Sequence, residues 1–141
     1  VLAPDSALNF MYPPPPTGQS GFAGSEWGGQ KVLWVAAPGY RGPVLIRGRQ
    51  LNGPHAVGFG GDRIPSAEMQ LLATGAVSPG EPNGWREWPS YTRLRAGGCY
   101  GYQVDGASFS TVIVFRATPT PLSARPLLGI RHVLSGIHAH A

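Results

Sequence analysis

The chain has 141 residues, 42% of them hydrophobic, with 21 glycines and 15 prolines and a formal charge of +4. That length suits one domain burying roughly two thirds of its unfolded surface and argues against a second core. The cations, all arginine except Lys31, are spread along the chain rather than gathered, which argues against nucleic acid as a partner; no apolar run reaches roughly 18 residues, which excludes a membrane-spanning helix; and the single Cys99 excludes an intrachain disulfide or a multi-cysteine metal site.

Residues 1–30 show no sustained period. Leu8, Phe10, Met11 and Tyr12 make a short apolar patch, four prolines follow at 13–16, and a Gly/Ser/Gln-rich stretch comes next, which predicts an extended N-terminal arm, either a disordered leader or a strand docked on another subunit or on the edge of its own sheet. Strand patterns begin at Lys31. Residues 31–37 close at Pro38-Gly39 and residues 43–51 close at Asn52-Gly53. Val44, Ile46 and Gly48 alternate with Leu45, Arg47 and Arg49, so this strand is expected to have one apolar and one wet face. Short strands are expected at 55–60 and 67–74, the second with a helical turn as its alternative. Residues 78–89 hold three prolines and read as a long loop leading into a strand at 91–95.

The strongest local signal is Asp105-Gly106 between two runs of β-formers. It predicts a two-residue hairpin loop that pairs Val104 with Ala107, Tyr102 with Phe109 and Tyr100 with Thr111. Cys99, at the start of this hairpin, is expected to be a small buried residue. After Thr118 the alternation stops, and Ile130, Val133, Leu134 and Ile137 follow helical spacing, which predicts a short helix from about 127 to 137 weakened by Gly129 and Gly136.

Gly98-Cys99-Tyr100, then Asp105-Gly106, then an apolar final strand resembles the last two strands of the immunoglobulin-like β-sandwich of bacterial exported proteins. The resemblance covers about residues 31–117. It implies an all-β fold, a single antiparallel immunoglobulin-like β-sandwich of about seven strands, flanked by the extended arm at 1–30 and an apolar C-terminal tail at 118–141. Two antibody hallmarks are missing: a second cysteine, and a tryptophan on the third strand, since Trp34 comes too early. A chain that starts at Val1 rather than Met fits a processed protein, so the expected location is extracytoplasmic, secreted or at the cell surface.

Catalytic patterns are not found. There is no Gly-Xaa-Ser-Xaa-Gly elbow and no glycine-rich dinucleotide or phosphate loop, and Glu81 and Glu87 around Trp85 do not by spacing define an acid and base pair. His138 and His140, with His132 nearby, are the candidate metal ligands, but no carboxylate or cysteine accompanies them, so the favoured reading is a solvated tail with no metal and no cofactor. Trp85, Arg86, Trp88 and Tyr91 form an aromatic segment that either plugs one end of the sandwich or stacks on a ligand such as a sugar. The expected function is therefore non-enzymatic assembly or adhesion. Leu8, Phe10 and Tyr12 of the arm and Leu127, Leu128, Ile130 and Leu134 of the tail would contact neighbouring subunits, giving a homo-oligomer or larger assembly. The alternative is a carbohydrate-binding module using Trp85, Trp88 and Tyr91.

Overall fold

In the computed structural model, which describes residues 6–19, 21–75, 84–122, 131–133 and 137–140, regular structure is all β apart from one 3-10 turn at Ala73–Gly75. The strands are β1 (Ala7–Met11), β2 (Gly28–Ala36), β3 (Val44–Gln50), β4 (Gly58–Phe59), β5 (Glu68–Leu71), β6 (Arg86–Leu94), β7 (Gly98–Gly106), β8 (Ser110–Thr120), β9 (Arg131–Val133) and β10 (Ile137–His140). The first eight hydrogen-bond in the order β4-β6-β2-β1-β8-β7-β3-β5. The two ends of this sheet approach each other. Phe59 and Ser66 exchange backbone hydrogen bonds of 2.9 Å, and Trp88 Nε1 donates to the Leu72 carbonyl at 2.9 Å, so the sheet is nearly closed into a barrel-like shape.

β1 makes this continuity. Its end pairs antiparallel with β2, Met11 opposite Gly29, while its whole length pairs parallel with β8, from Ala7 opposite Arg116 to Met11 opposite Thr120. The segment expected to be an arm reaching a neighbouring subunit is thus an interior strand of the chain's own sheet, and Leu8 and Phe10 are fully buried in its core. Its partnership also explains why β8 continues through Pro119. Pairing with β7 stops at Gly98 opposite Ala117, so beyond that point β8 pairs only with β1 among the described residues, and a proline without an N–H fits at such an edge. β10 lies along Leu33–Ala36 of β2 and forms a hairpin with β9. Of the helix expected over 127–137, residues 131–133 and 137 are strand; the rest of that span, with Leu127, Leu128, Ile130 and Leu134, falls outside the described residues.

The core follows the alternation. Val44 and Ile46 point in, Arg47 and Arg49 point out, and Tyr100, Tyr102, Ile113 and Phe115 line the interior from β7 and β8. Tyr102 stacks on Phe115 with ring centroids 4.5 Å apart and meets Trp34 edge-on at 5.3 Å. Each such ring contributes about 1.5–3 kcal/mol by leaving water. The Tyr102 hydroxyl is matched inside by Thr92 Oγ1 at 2.6 Å, and burial pushes its pKa far above the usual tyrosine range, so it stays protonated. Tyr100 donates its hydroxyl to the Ala96 carbonyl in the β6–β7 connection at 2.7 Å.

The hairpin forms with a different register from the expected one. Asp105 pairs with Ser110, Tyr102 with Ile113 and Tyr100 with Phe115, a displacement of four residues. An even displacement preserves every inward and outward assignment. The longer loop is favoured by what its side chains reach. Phe109 folds over Gly106 and packs edge-on against Tyr40 at 5.0 Å, the Tyr40 hydroxyl accepts from Ala107 N at 2.9 Å, and Ser110 Oγ donates to Asp105 at 2.7 Å. A two-residue loop would forfeit all three.

Ser110, Gln103 and Arg47, in that order of effect, hold the Asp105 carboxyl below its usual value of 3.8. A carboxylate depressed in the folded state contributes stability that is present above its unfolded pKa, about 3.9, and lost as pH falls through the lower folded value. Amide exchange at Ser110 is therefore expected to accelerate as pH drops below about 4 relative to unstructured amides, and the Asp105→Asn variant should lack that acid step. Unchanged protection at Ser110 down to pH 2 would contradict this assignment.

Candidate functional site

The aromatic segment expected to be a loop is strand β6, and strand geometry divides it. Trp88 points inward, buried, with its indole bonded to Leu72, while Tyr91, three residues on, points outward and is 40% exposed. Residues three apart on a strand face opposite sides, so Trp88 and Tyr91 do not form one stacking surface. Arg86 sits on the same side as Trp88, 5.1 Å from its ring, and donates to the carbonyls of Tyr40 and Arg41. Burial and then Arg41 lower its pKa, with Tyr40 opposing. Trp85 is half-buried immediately before the strand. Trp88 is thus buried, Arg86 is bonded to backbone carbonyls beside it, and Tyr91 stands apart.

The arm residues divide similarly. Leu8 and Phe10 are core, and Tyr12 is half-buried, its ring 5.9 Å from Phe10. On the tail, the backbone register sets His132 across from Ala139, out of step with His138 and His140. Among the described residues, no group of three or more His, Cys, Asp or Glu is placed to hold a metal ion, and no helix is long and apolar enough to cross a membrane. Cys99 is half-buried rather than buried; it pairs with Arg116, and its backbone N–H donates to Asn52.

Two surfaces emerge that the sequence reading did not assemble. The first is the outer face of β3, β7 and β8. Leu51 (48% exposed), Val112 (52%) and Val114 (42%) surround it, and Gly101 lies at its centre with Leu51 and Val112 carbons about 3.5 Å from where its Cβ would be. Arg47, paired with Asp105 at 3.1 Å, and Arg49 flank them, bordering a hollow of about 350 Å³. The run Val112-Ile113-Val114-Phe115 carried the signal: in a strand with one wet side, two of four consecutive apolar residues must face water.

The second surface is a groove of about 500 Å³ where β5 and β6 flank the incompletely closed seam. Tyr91 forms one wall beside Lys31, its cross-strand partner on β2, and Ser90; Glu68 and Ser66 come from the other side. β4 reaches only Thr92 and Arg93 of β6, which leaves the Pro89–Tyr91 edge on that side, opposite β2, without a strand partner among the described residues and opens the groove. Pro89, unable to donate, suits such an edge. Compared with known proteins, the chain matches no family model, no curated protein and no solved structure.

Proposed function

We propose that this chain is a non-enzymatic, extracytoplasmic domain of immunoglobulin-like type that works in assembly or adhesion by contacting further copies of itself. The immunoglobulin-like part is supported by two groups of strands, β4-β6-β2 and β8-β7-β3-β5, joined by a first strand that pairs antiparallel with the second and parallel with β8. It is also supported by the Tyr100 hydroxyl bonded to the backbone four residues upstream at the start of β7, the arrangement of a tyrosine corner.

The observation that carries the assembly reading is the exposed Leu51, Val112 and Val114 cluster, three large apolar side chains side by side on a sheet face. Its surroundings hold both signs of charge, Arg47 and Arg49 against Asp105. Both signs on one face allow a twofold contact that sets a cation of one copy against the carboxylate of the other, as a self-complementary interface requires. Because Leu8 and Phe10 are spent in the core, the contact proposed here moves from the arm to this face. β10 pairs within the chain, covering an edge of β2 that β1 leaves on crossing to β8.

Light scattering during gel filtration tests this. The wild-type chain is expected to gain mass with concentration, and the Val112→Asp/Val114→Asp variant to elute as a monomer with its thermal midpoint little changed, since both side chains are exposed. A wild type that stays monomeric at its highest soluble concentration would remove the proposal.

A further inference from the structure

We propose that the seam groove between β5 and β6 binds a pyranose ring of a glycan, stacked on Tyr91, independently of the assembly face. The groove's volume, about 500 Å³, lies in the range of small-ligand sites. Its aromatic wall is preset. Phe22 meets Tyr91 edge-on at 5.4 Å and an 89° angle, so one side of the phenol ring is held while the rest stays open. The lip beside the ring is bare backbone: Gly61 lies where an added Cβ would be 3.9 Å from the Tyr91 ring, and Gly60 adopts φ 91° with no atom within 4 Å of its missing Cβ. The Gly60 N–H is already committed to the Tyr91 carbonyl at 3.1 Å, which fixes that lip to the strand carrying the ring.

The polar groups around the ring determine the ligand class. Lys31 and Glu68 bring a donor and an acceptor to one groove, and neither is in the ion pair found among the described residues, Arg47 with Asp105. Ser66 adds a hydroxyl. A phosphate-bearing ligand would meet the Glu68 carboxylate, and a wholly apolar one would strip water from Lys31 and Glu68 without replacing its hydrogen bonds. A pyranose avoids both problems. Its C–H face lies on an aromatic ring, and its rim of hydroxyls donates to carboxylates and accepts from ammonium groups. Trp88, part of the platform expected from sequence, takes no part; Tyr91 is the member that faces the groove.

Affinity electrophoresis in gels containing a soluble β-glucan, a xylan, a galactomannan or a soluble chitin derivative tests the proposal. The wild type is expected to be retarded by at least one of them. Tyr91→Ala should weaken that retardation about tenfold, Tyr91→Phe should keep it, and Glu68→Gln should reduce it several-fold. Should Tyr91→Ala unfold, Gly61→Leu covers the ring while leaving the Phe22 contact in place, and is expected to abolish retardation. Migration unaffected by all four polysaccharides, or equal retardation of wild type and Gly61→Leu, would overturn the assignment. Val112 and Val114 lie on β8, none of whose residues lines the groove, so the double aspartate variant should still be retarded, and either proposal can fail without the other.

Discussion

Replacing Arg93 with alanine is expected to cost about 3–5 kcal/mol, the loss that follows when a buried, fully bonded cation is removed from its partners. Arg93 has no solvent exposure, and all five of its N–H groups have acceptors. Nε donates to the Gly28 carbonyl at 3.1 Å, Nη1 to those of Gly60 (3.1 Å) and Asp62 (2.7 Å), and Nη2 to the Trp27 carbonyl (2.8 Å) and Ser25 Oγ (3.1 Å). Phe22 covers it, with the guanidinium carbon 4.2 Å from the ring centroid. One side chain on β6 thereby ties down both the segment before β2 and the loop after β4. Burial lowers its pKa and Asp62 partly opposes this, but a guanidinium stays charged in proteins. Arg93→Lys should recover only part of the loss, because a point ammonium has three donors and no fork. Urea unfolding followed by tryptophan fluorescence measures both variants, and a lysine variant as stable as wild type would show that the fork geometry is unimportant.

The second large effect is expected at Gly28, where alanine should lower stability by about 3 kcal/mol or more. A Cβ there would overlap the Met11 carbonyl oxygen and press on the Tyr12 side chain at 3.0 Å. The carbonyl belongs to the backbone and cannot rotate away, so relief requires β1 to separate from β2 at the place where it crosses toward β8. Gly39→Ala is the control. It has open space around its missing Cβ and no positive φ, so a change between zero and about 1 kcal/mol of stabilisation is expected from the reduced freedom of the unfolded chain. Equal stability of the Gly28 and Gly39 variants in thermal unfolding would refute the close-approach argument.

Alternation alone determined that this chain is β throughout its middle and which side chains of β3, β7 and β8 face inward. The reason is geometric: a strand's side chains alternate with period two, so Val44 and Ile46 against Arg47 and Arg49 can be assigned before any partner is known. The same rule explains why the four-residue displacement of the hairpin left Tyr100, Tyr102, Ile113 and Phe115 inside. Arm, loop and tail depended on something else. Leu8 and Phe10 do not reveal in sequence whether they meet another subunit or their own β8, because pairing across more than a hundred residues leaves no local trace. Trp88 and Tyr91 look like one aromatic cluster until strand geometry puts them on opposite faces. Arg93, surrounded in sequence by ordinary strand residues, acquires its role from acceptors at Ser25, Trp27, Gly28, Gly60 and Asp62. Local pattern thus decided strand faces, whereas tertiary pairing decided which hydrophobic groups are spent on the core and which stay exposed, since burial is a property of neighbours distant in sequence.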